Sequence, residues 1–175
     1  MGTRRKVSIL LVGVAACAVT AGGLRRRRRA KNAIPTVGSA EIVRRLWEEP
    51  WKGNWDVIET FVSPDYVGHD PSEPEPIRGP AGVRANVEKY LASFAGAAIT
   101  VDQQVVEGDH VATRWTGRGT HTGEIAGIAP TGKDVTVSGI TVSRFEDGLV
   151  VEEWTTWDTL GMLVQIGAVP APAQA

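Results

Sequence analysis

His69 and Asp70, adjacent in the string Tyr66-Val67-Gly68-His69-Asp70-Pro71, set an imidazole that changes charge near neutral pH beside a carboxylate. Together they can move a proton at a carbonyl compound, with Asp70 on a loop at a cavity mouth. The alternative is that Asp70-Pro71 opens a turn and His69 bonds the backbone. Glu153 is a further proton carrier, and it shares strand parity with Thr155 and Trp157, so the three face one way. Against that, Glu152-Glu153 also reads as a solvated pair. Asp158, in the apolar setting Trp157-Asp158-Thr159-Leu160, becomes a base if burial weakens its acidity, or else caps a helix N-terminus. Arg114 in mid-strand can clamp a carboxylate or an enolate oxygen, although its alternation with Ala112 and Thr116 also fits an exposed or ion-paired role. Trp115, Trp154 and Trp157 would make an aromatic wall for a flat substrate, or else core or dimer contacts. His121 alternates in phase with Val111, Thr113 and Trp115 and either touches substrate or orders a loop at the strand end. His110 belongs to a hairpin turn. No three of these groups have the spacing of a zinc or iron site, so no metal is expected.

These side chains need elements to position them. Ile42, Val43, Leu46 and Trp47 recur at helical spacing and stop before Pro50. Asn54 then reads as the N-cap of a second helix carrying Trp55, Ile58, Phe61 and Val62, ended by Ser63-Pro64. A short strand follows from Tyr66 to His69, and Pro71, Pro74, Pro76 and Pro80 predict an irregular loop after it. Val83, Val87, Tyr90, Leu91 and Phe94 mark the apolar face of a third helix. From Ile99 the period becomes two. Strands are predicted over Ile99 to Val105, His110 to Thr122, Asp134 to Phe145 and Leu149 to Trp157, with turns at Glu107-Gly108-Asp109 and Glu146-Asp147-Gly148. Leu160, Leu163 and Ile166 close a short helix. Helices followed by an antiparallel meander imply an α+β architecture with a curved sheet packed around the helices.

The 175 residues, 42% apolar and 22% charged, suit one globular domain, taken as residues 39–168 with a linker at 34–38 and a loose tail at 169–175. With Cys17 as the single cysteine there is no intramolecular disulfide. Residues 1–33 hold nine basic side chains and no acidic one, which leaves 10 basic against 20 acidic residues beyond them. That net charge of −10 argues against attraction to nucleic acid. Residues 7–24 form an uncharged apolar run flanked by Arg4-Arg5-Lys6 and by Arg25 to Arg29, just long enough to span a bilayer. Arg4-Arg5 and Val14-Ala15-Ala16-Cys17 fit an export signal with Cys17 as a lipoprotein cysteine. The heavy basic flank after the run fits an anchor that keeps the domain cytoplasmic. The expectation is membrane association on one side or the other.

Several strings, taken in order, resemble one family. They are Tyr66-Val67-Gly68-His69-Asp70-Pro71, Gly79-Pro80-Ala81-Gly82-Val83-Arg84, Gly119-Thr120-His121-Thr122-Gly123-Glu124, Gly127-Ile128-Ala129-Pro130-Thr131-Gly132-Lys133 and Glu153-Trp154-Thr155-Thr156-Trp157-Asp158-Thr159-Leu160-Gly161. In order and spacing they resemble the SnoaL-like polyketide cyclases, or ester cyclases, over residues 39–168. The resemblance implies a cone-shaped α+β fold of the nuclear-transport-factor-2-like, cystatin-like type, with a pocket between the concave sheet and the helices. It also implies a homodimer through the sheet, a hydrophobic small-molecule substrate, and ring closure by acid-base chemistry without metal or organic cofactor. The family's acid-base aspartate matches Thr155, and a histidine that holds the developing enolate matches Thr141. Neither hydroxyl can take a carbon-bound proton near neutral pH. The reading therefore turns to His69, Glu153 and Asp158 as acid-base groups, with Asp70, Arg114, Trp115, His121, Thr141, Trp154, Thr155 and Trp157 as substrate contacts. The rival expectation is a non-catalytic, membrane-tethered module that binds an apolar molecule in the same pocket.

Overall fold

The computed structural model describes residues 38–170; the apolar run at 7–24, Cys17 and the tail at 171–175 lie outside the described residues. Helix α1, Ser39–Glu48, buries Ile42 and Val43. Its exposed side carries the ion pairs Arg44 with Glu48 and Arg45 with Glu49, each one turn apart. Pro50 opens a single 3-10 turn that Gly53 closes in the left-handed region, at φ +86°. Helix α2 runs over Asp56–Phe61, α3 over Gly79–Ser93 with Pro80 in its first turn, and α4 over Thr159–Ile166.

The strands are β1 Val62–His69, β2 Ile77–Arg78, β3 Phe94–Glu107, β4 His110–His121, β5 Asp134–Glu146 and β6 Leu149–Trp157. They form one sheet in the order β2-β1-β6-β5-β4-β3. After β1 and β2 the chain crosses by α3 to the far edge, then returns as the expected antiparallel meander until β6 lies beside β1. That return brings β6 in parallel to β1, so the sheet is mixed where pure antiparallel pairing was expected. The sheet does not close, since β2 and β3 remain as edges. Two register shifts in β3, between Ala95 and Ala98 and between Val101 and Gln103, bend that edge. Helix α1 is stitched to the second of them. Glu48 accepts from Val101 N at 2.9 Å, Arg44 donates to Val101 O at 3.3 Å, and Gln104 donates to Ala40 O at 2.8 Å.

Two apolar clusters fill the space between sheet and helices. Ile42, Ile58, Phe61, Val62, Tyr66 and Val150 make one; Phe94, Ile125, Val135, Met162 and Ile166 make the other. Three local expectations are corrected. Asn54 does not cap α2, because its amide donates to Glu49 at 2.5 Å, and the helix starts at Asp56 with no side-chain cap. Val62 begins β1 instead of ending α2, because Val62 and Tyr66 are needed in the first cluster. Phe94 belongs to β3 rather than α3, where it packs in the second cluster. Within the expected loop, Ile77 and Arg78 pair with Gly68 and Val67 between two flanking prolines.

Candidate active site

Strand alternation decides what faces the helices. On β6 the inward positions are Glu153, Thr155 and Trp157, and they lie opposite Ser143, Thr141 and Gly139 of β5. On β4 the matching row holds Val111, Thr113 and Trp115. Gly139 makes room for the Trp115 ring, since a Cβ there would lie 2.3 Å from it. The ring stacks on Trp47 at 5.0 Å, and its indole N–H donates to Thr141 Oγ1 at 3.1 Å. Thr141 is in turn 2.9 Å from Thr155 Oγ1. Trp115, Thr141 and Thr155 thus form one chain of neutral groups that runs from the buried Trp115 and Thr141 to Thr155 at the cavities.

Two adjoining cavities open on this face. The first encloses about 690 Å³ of empty space, mouth included, and is walled by Trp47, Trp51, Phe94, Trp115, Trp157 and Met162. The second, about 710 Å³ counted the same way, is bordered by Tyr66, Gly68 and Glu153. Trp47, Trp51, Asp70, Asn86 and Thr155 border both.

Glu153 is the carboxylate these elements converge on. Tyr66 donates to its Oε2 at 2.8 Å and Ser143 to its Oε1 at 2.6 Å. Burial pushes its acidity up from the ordinary glutamate value, and the hydrogen bonds from Ser143, Tyr66 and Trp47 pull it only partly back. Since Glu153 borders the second cavity, the part of its surface that remains accessible opens there. Tyr66 is pushed well above the usual tyrosine range, first by burial and then by the charge of Glu153, so it keeps its proton and acts as a donor. Gly68 must stay bare, because a Cβ there would sit 2.6 Å from the Tyr66 hydroxyl.

Asp70 joins this site from the end of β1. Its Oδ1 accepts from Ser72 N at 2.8 Å and Ser72 Oγ at 2.7 Å, and its Oδ2 accepts from Trp157 Nε1 at 3.2 Å. Asn86 presents a buried Oδ1 that has no hydrogen-bond partner.

Other candidates lie elsewhere. His69 borders the second cavity, but its ring lies on the outer face, 5.7 Å from Trp154 and with Nε2 3.0 Å from Glu152. Trp154 shares that outer face and is 41% exposed. There Arg144 and His69 hold Glu152 below the usual carboxylate range, the His69 hydrogen bond being the larger cause. Arg114 is exposed on the outer side of β4, 3.8 Å from Asp102. Asp158 caps α4 by accepting from Gly161 N at 2.7 Å. His121 is fully buried and borders neither cavity. It sits beside Phe94, with Nδ1 3.1 Å from Thr131 Oγ1, and anchors the loop after β4. Among the described residues no group of three or more His, Cys, Asp or Glu is placed to hold a metal ion.

Tyr66, Ser143, Asn86, Trp47 and Trp51 were not expected from the sequence to be site residues. Asn86 had a signal, as a polar residue four positions before Tyr90 on the face of α3 that also carries Val83. Ser143 had none, because its role depends on the β5–β6 register.

The sequence profile described as SnoaL-like polyketide cyclase matches residues 41–166. Aklanonic acid methyl ester cyclase AcmA of Streptomyces galilaeus is 29% identical over 126 residues, covering 71% of this chain and 88% of that protein. A SnoaL-like protein of Jannaschia sp. CCS1 superposes with a TM-score of 0.67 at 28% identity, over 75% of this chain and 92% of that one. A Catenulispora acidiphila protein with a ketosteroid isomerase-like fold superposes at 0.62 and 19% identity, over 74% and 95%, a likeness of fold alone.

Proposed function

Because this chain belongs to the SnoaL-like polyketide cyclase family, we propose that it closes a ring in a hydrophobic carbonyl or ester substrate by acid-base chemistry, with Glu153 exchanging the proton. The observation that carries this reading is the part-buried Glu153 carboxyl, held by Tyr66 and Ser143 at the border of an aromatic-walled cavity. Burial weakens the acid, which brings its proton affinity closer to working pH, where an acid-base group is most effective. Tyr66 and Ser143 fix both oxygens, so the carboxyl meets substrate in one orientation. Trp47 and Trp51 exclude water, and the unpartnered Asn86 oxygen accepts from a hydroxyl of the substrate. Thr155 contacts substrate without taking a proton from carbon, whereas Thr141, expected as a substrate contact, is fully buried, borders neither cavity and holds Trp115 and Thr155 instead. His69 and Arg114, turned to the outer face, have no step in this scheme.

The test uses a polyketide methyl ester, beginning with the compound named for AcmA, aklanonic acid methyl ester. Glu153→Gln preserves size and one acceptor, and ring closure is expected to fall by about 100-fold or more while substrate binding persists. An unchanged kcat overturns the reading. One feature favours a second reading, a membrane-tethered binding module: the neutral Thr141–Thr155 pair stands where the resemblance expects an imidazole and a carboxylate. Tight binding of the ester by the unmodified protein with no cyclised product would establish that reading instead. Either way, residues 7–24 are proposed to bring the domain to a membrane, either exported with Cys17 as a lipoprotein cysteine or anchored facing the cytoplasm, and the chain is proposed to be a homodimer.

A further inference from the structure

A single carboxyl can accept a proton from carbon or donate one to oxygen, and ring closure requires both at different atoms of one molecule. A second carboxylate borders the same cavity. Gly68 and His69 of β1 lie beside Glu153 and Trp154 of β6. The His69 ring is turned out against Trp154, so the next side chain, Asp70, is turned in. Pro71 biases Asp70 toward extended backbone, and continuing the register by one residue sets it beside Thr155. Strand spacing and rise then put its Cα about 8 Å from that of Glu153, with both side chains bordering the second cavity. The environments of the two groups differ. Asp70 accepts three hydrogen bonds, from Ser72 N, Ser72 Oγ and Trp157 Nε1, and lone pairs remain on both oxygens. Trp157 is itself fixed edge-on against Tyr90 at 6.2 Å, so the indole that orients Asp70 is packed on a helix.

We propose that Asp70 is a second catalytic residue of this site, taking the carbon-bound proton while Glu153 protonates the oxygen formed at the other end of the reacting unit. The assignment rests on the acid-base reading above. An Asp70 oxygen removes the hydrogen next to one carbonyl, and the C–H electron pair forms the enolate. The enolate carbon bonds to a second carbonyl carbon of the same molecule, and the π pair of that carbonyl becomes an alkoxide that takes the Glu153 proton. Asp70 ends protonated and Glu153 ionised, product and substrate are isomers, and exchange with solvent after product leaves restores both groups. Neither an oxidant nor a co-reactant is required.

The experiment follows the first step alone. The full chain is incubated with 2-tetralone in deuterated buffer, and loss of the α-hydrogen signal is read by NMR, with binding read separately from quenching of the cavity tryptophans. Asp70→Ala and Asp70→Asn are expected to slow exchange by about 100-fold or more while binding persists. Asp70→Asn keeps an acceptor for Trp157, so it separates loss of the base from loss of packing. Added formate is expected to restore part of the exchange to Asp70→Ala and to leave the unmodified protein unaffected. Exchange by both variants within about threefold of the parent, or no rescue by formate, overturns the role of Asp70 while leaving Glu153 in place. A parent protein that binds tetralone and exchanges nothing overturns the acid-base reading itself, and this assignment with it.

Discussion

Glu153 carries a cost that can be measured without any substrate. Its folded-state acidity is raised by burial, so folding favours the protonated form. Stability from this group is therefore fully present below the ordinary glutamate value of 4.5 and is lost as pH rises through the higher folded value. Glu153→Gln removes that titration. Urea unfolding at a series of pH values should show variant and parent nearly equal in acid, with the variant gaining steadily on the parent toward neutral pH. A constant offset at every pH would mean that Glu153 is not perturbed in the folded protein. Gain of stability together with loss of ring closure is the pairing expected of a residue kept for chemistry rather than packing. At this scale the sequence was partly legible. Glu153 was found through its parity with Thr155, but Tyr66 and Ser143, 87 and 10 positions away from it, meet its oxygens only because β1 and β5 flank β6.

Strand β6 and helix α4 show how one element can divide candidate residues among different tasks. Alternation sends Glu153, Thr155 and Trp157 inward and Trp154 outward, and the strand ends at Trp157, just before Asp158. Asp158 and Glu153 were both read from the sequence as acid-base groups, and only the helix that starts after Asp158 distinguishes them. Its oxygen satisfies the Gly161 N–H, one of the otherwise unpaired amides of the first turn of α4. Asp158→Ala is expected to cost about 1 kcal/mol of stability, seen as a lower urea midpoint, with ring closure by the folded protein unchanged. Asp158→Asn, which can still cap, should recover most of that loss. A fall in kcat of Asp158→Asn at full stability would return this residue to the chemistry.

At the scale of the whole molecule, the outer face of the sheet carries Ile140 and Trp154, 50% and 41% exposed, on adjacent strands with Val142 between them. A second copy laid on that face would bury them, and light scattering of residues 34–175 is expected to report twice the chain mass, with Ile140→Lys reporting one. Among the described residues no helix is long and apolar enough to cross a membrane; the proposed attachment through the uncharged apolar run at residues 7–24 can be tested directly. The full chain should sediment with membranes after alkaline extraction and a chain lacking residues 1–33 should not. The sequence alone determined the α+β class and the order of the helices and long strands, because periods of 3.6 and 2 and the turn residues are local properties; the expected alternation of Ile99, Val101, Gln103 and Val105 fails in β3, where the register shift after Val101 turns Val105 outward, 59% exposed. The tertiary structure alone decided that β6 lies parallel to β1, which sets Asp70 toward the position beside Thr155, gives Glu153 its partner Tyr66, and turns His69 away. Those are contacts between residues more than 80 positions apart, and no local pattern encodes which strand becomes the neighbour of which.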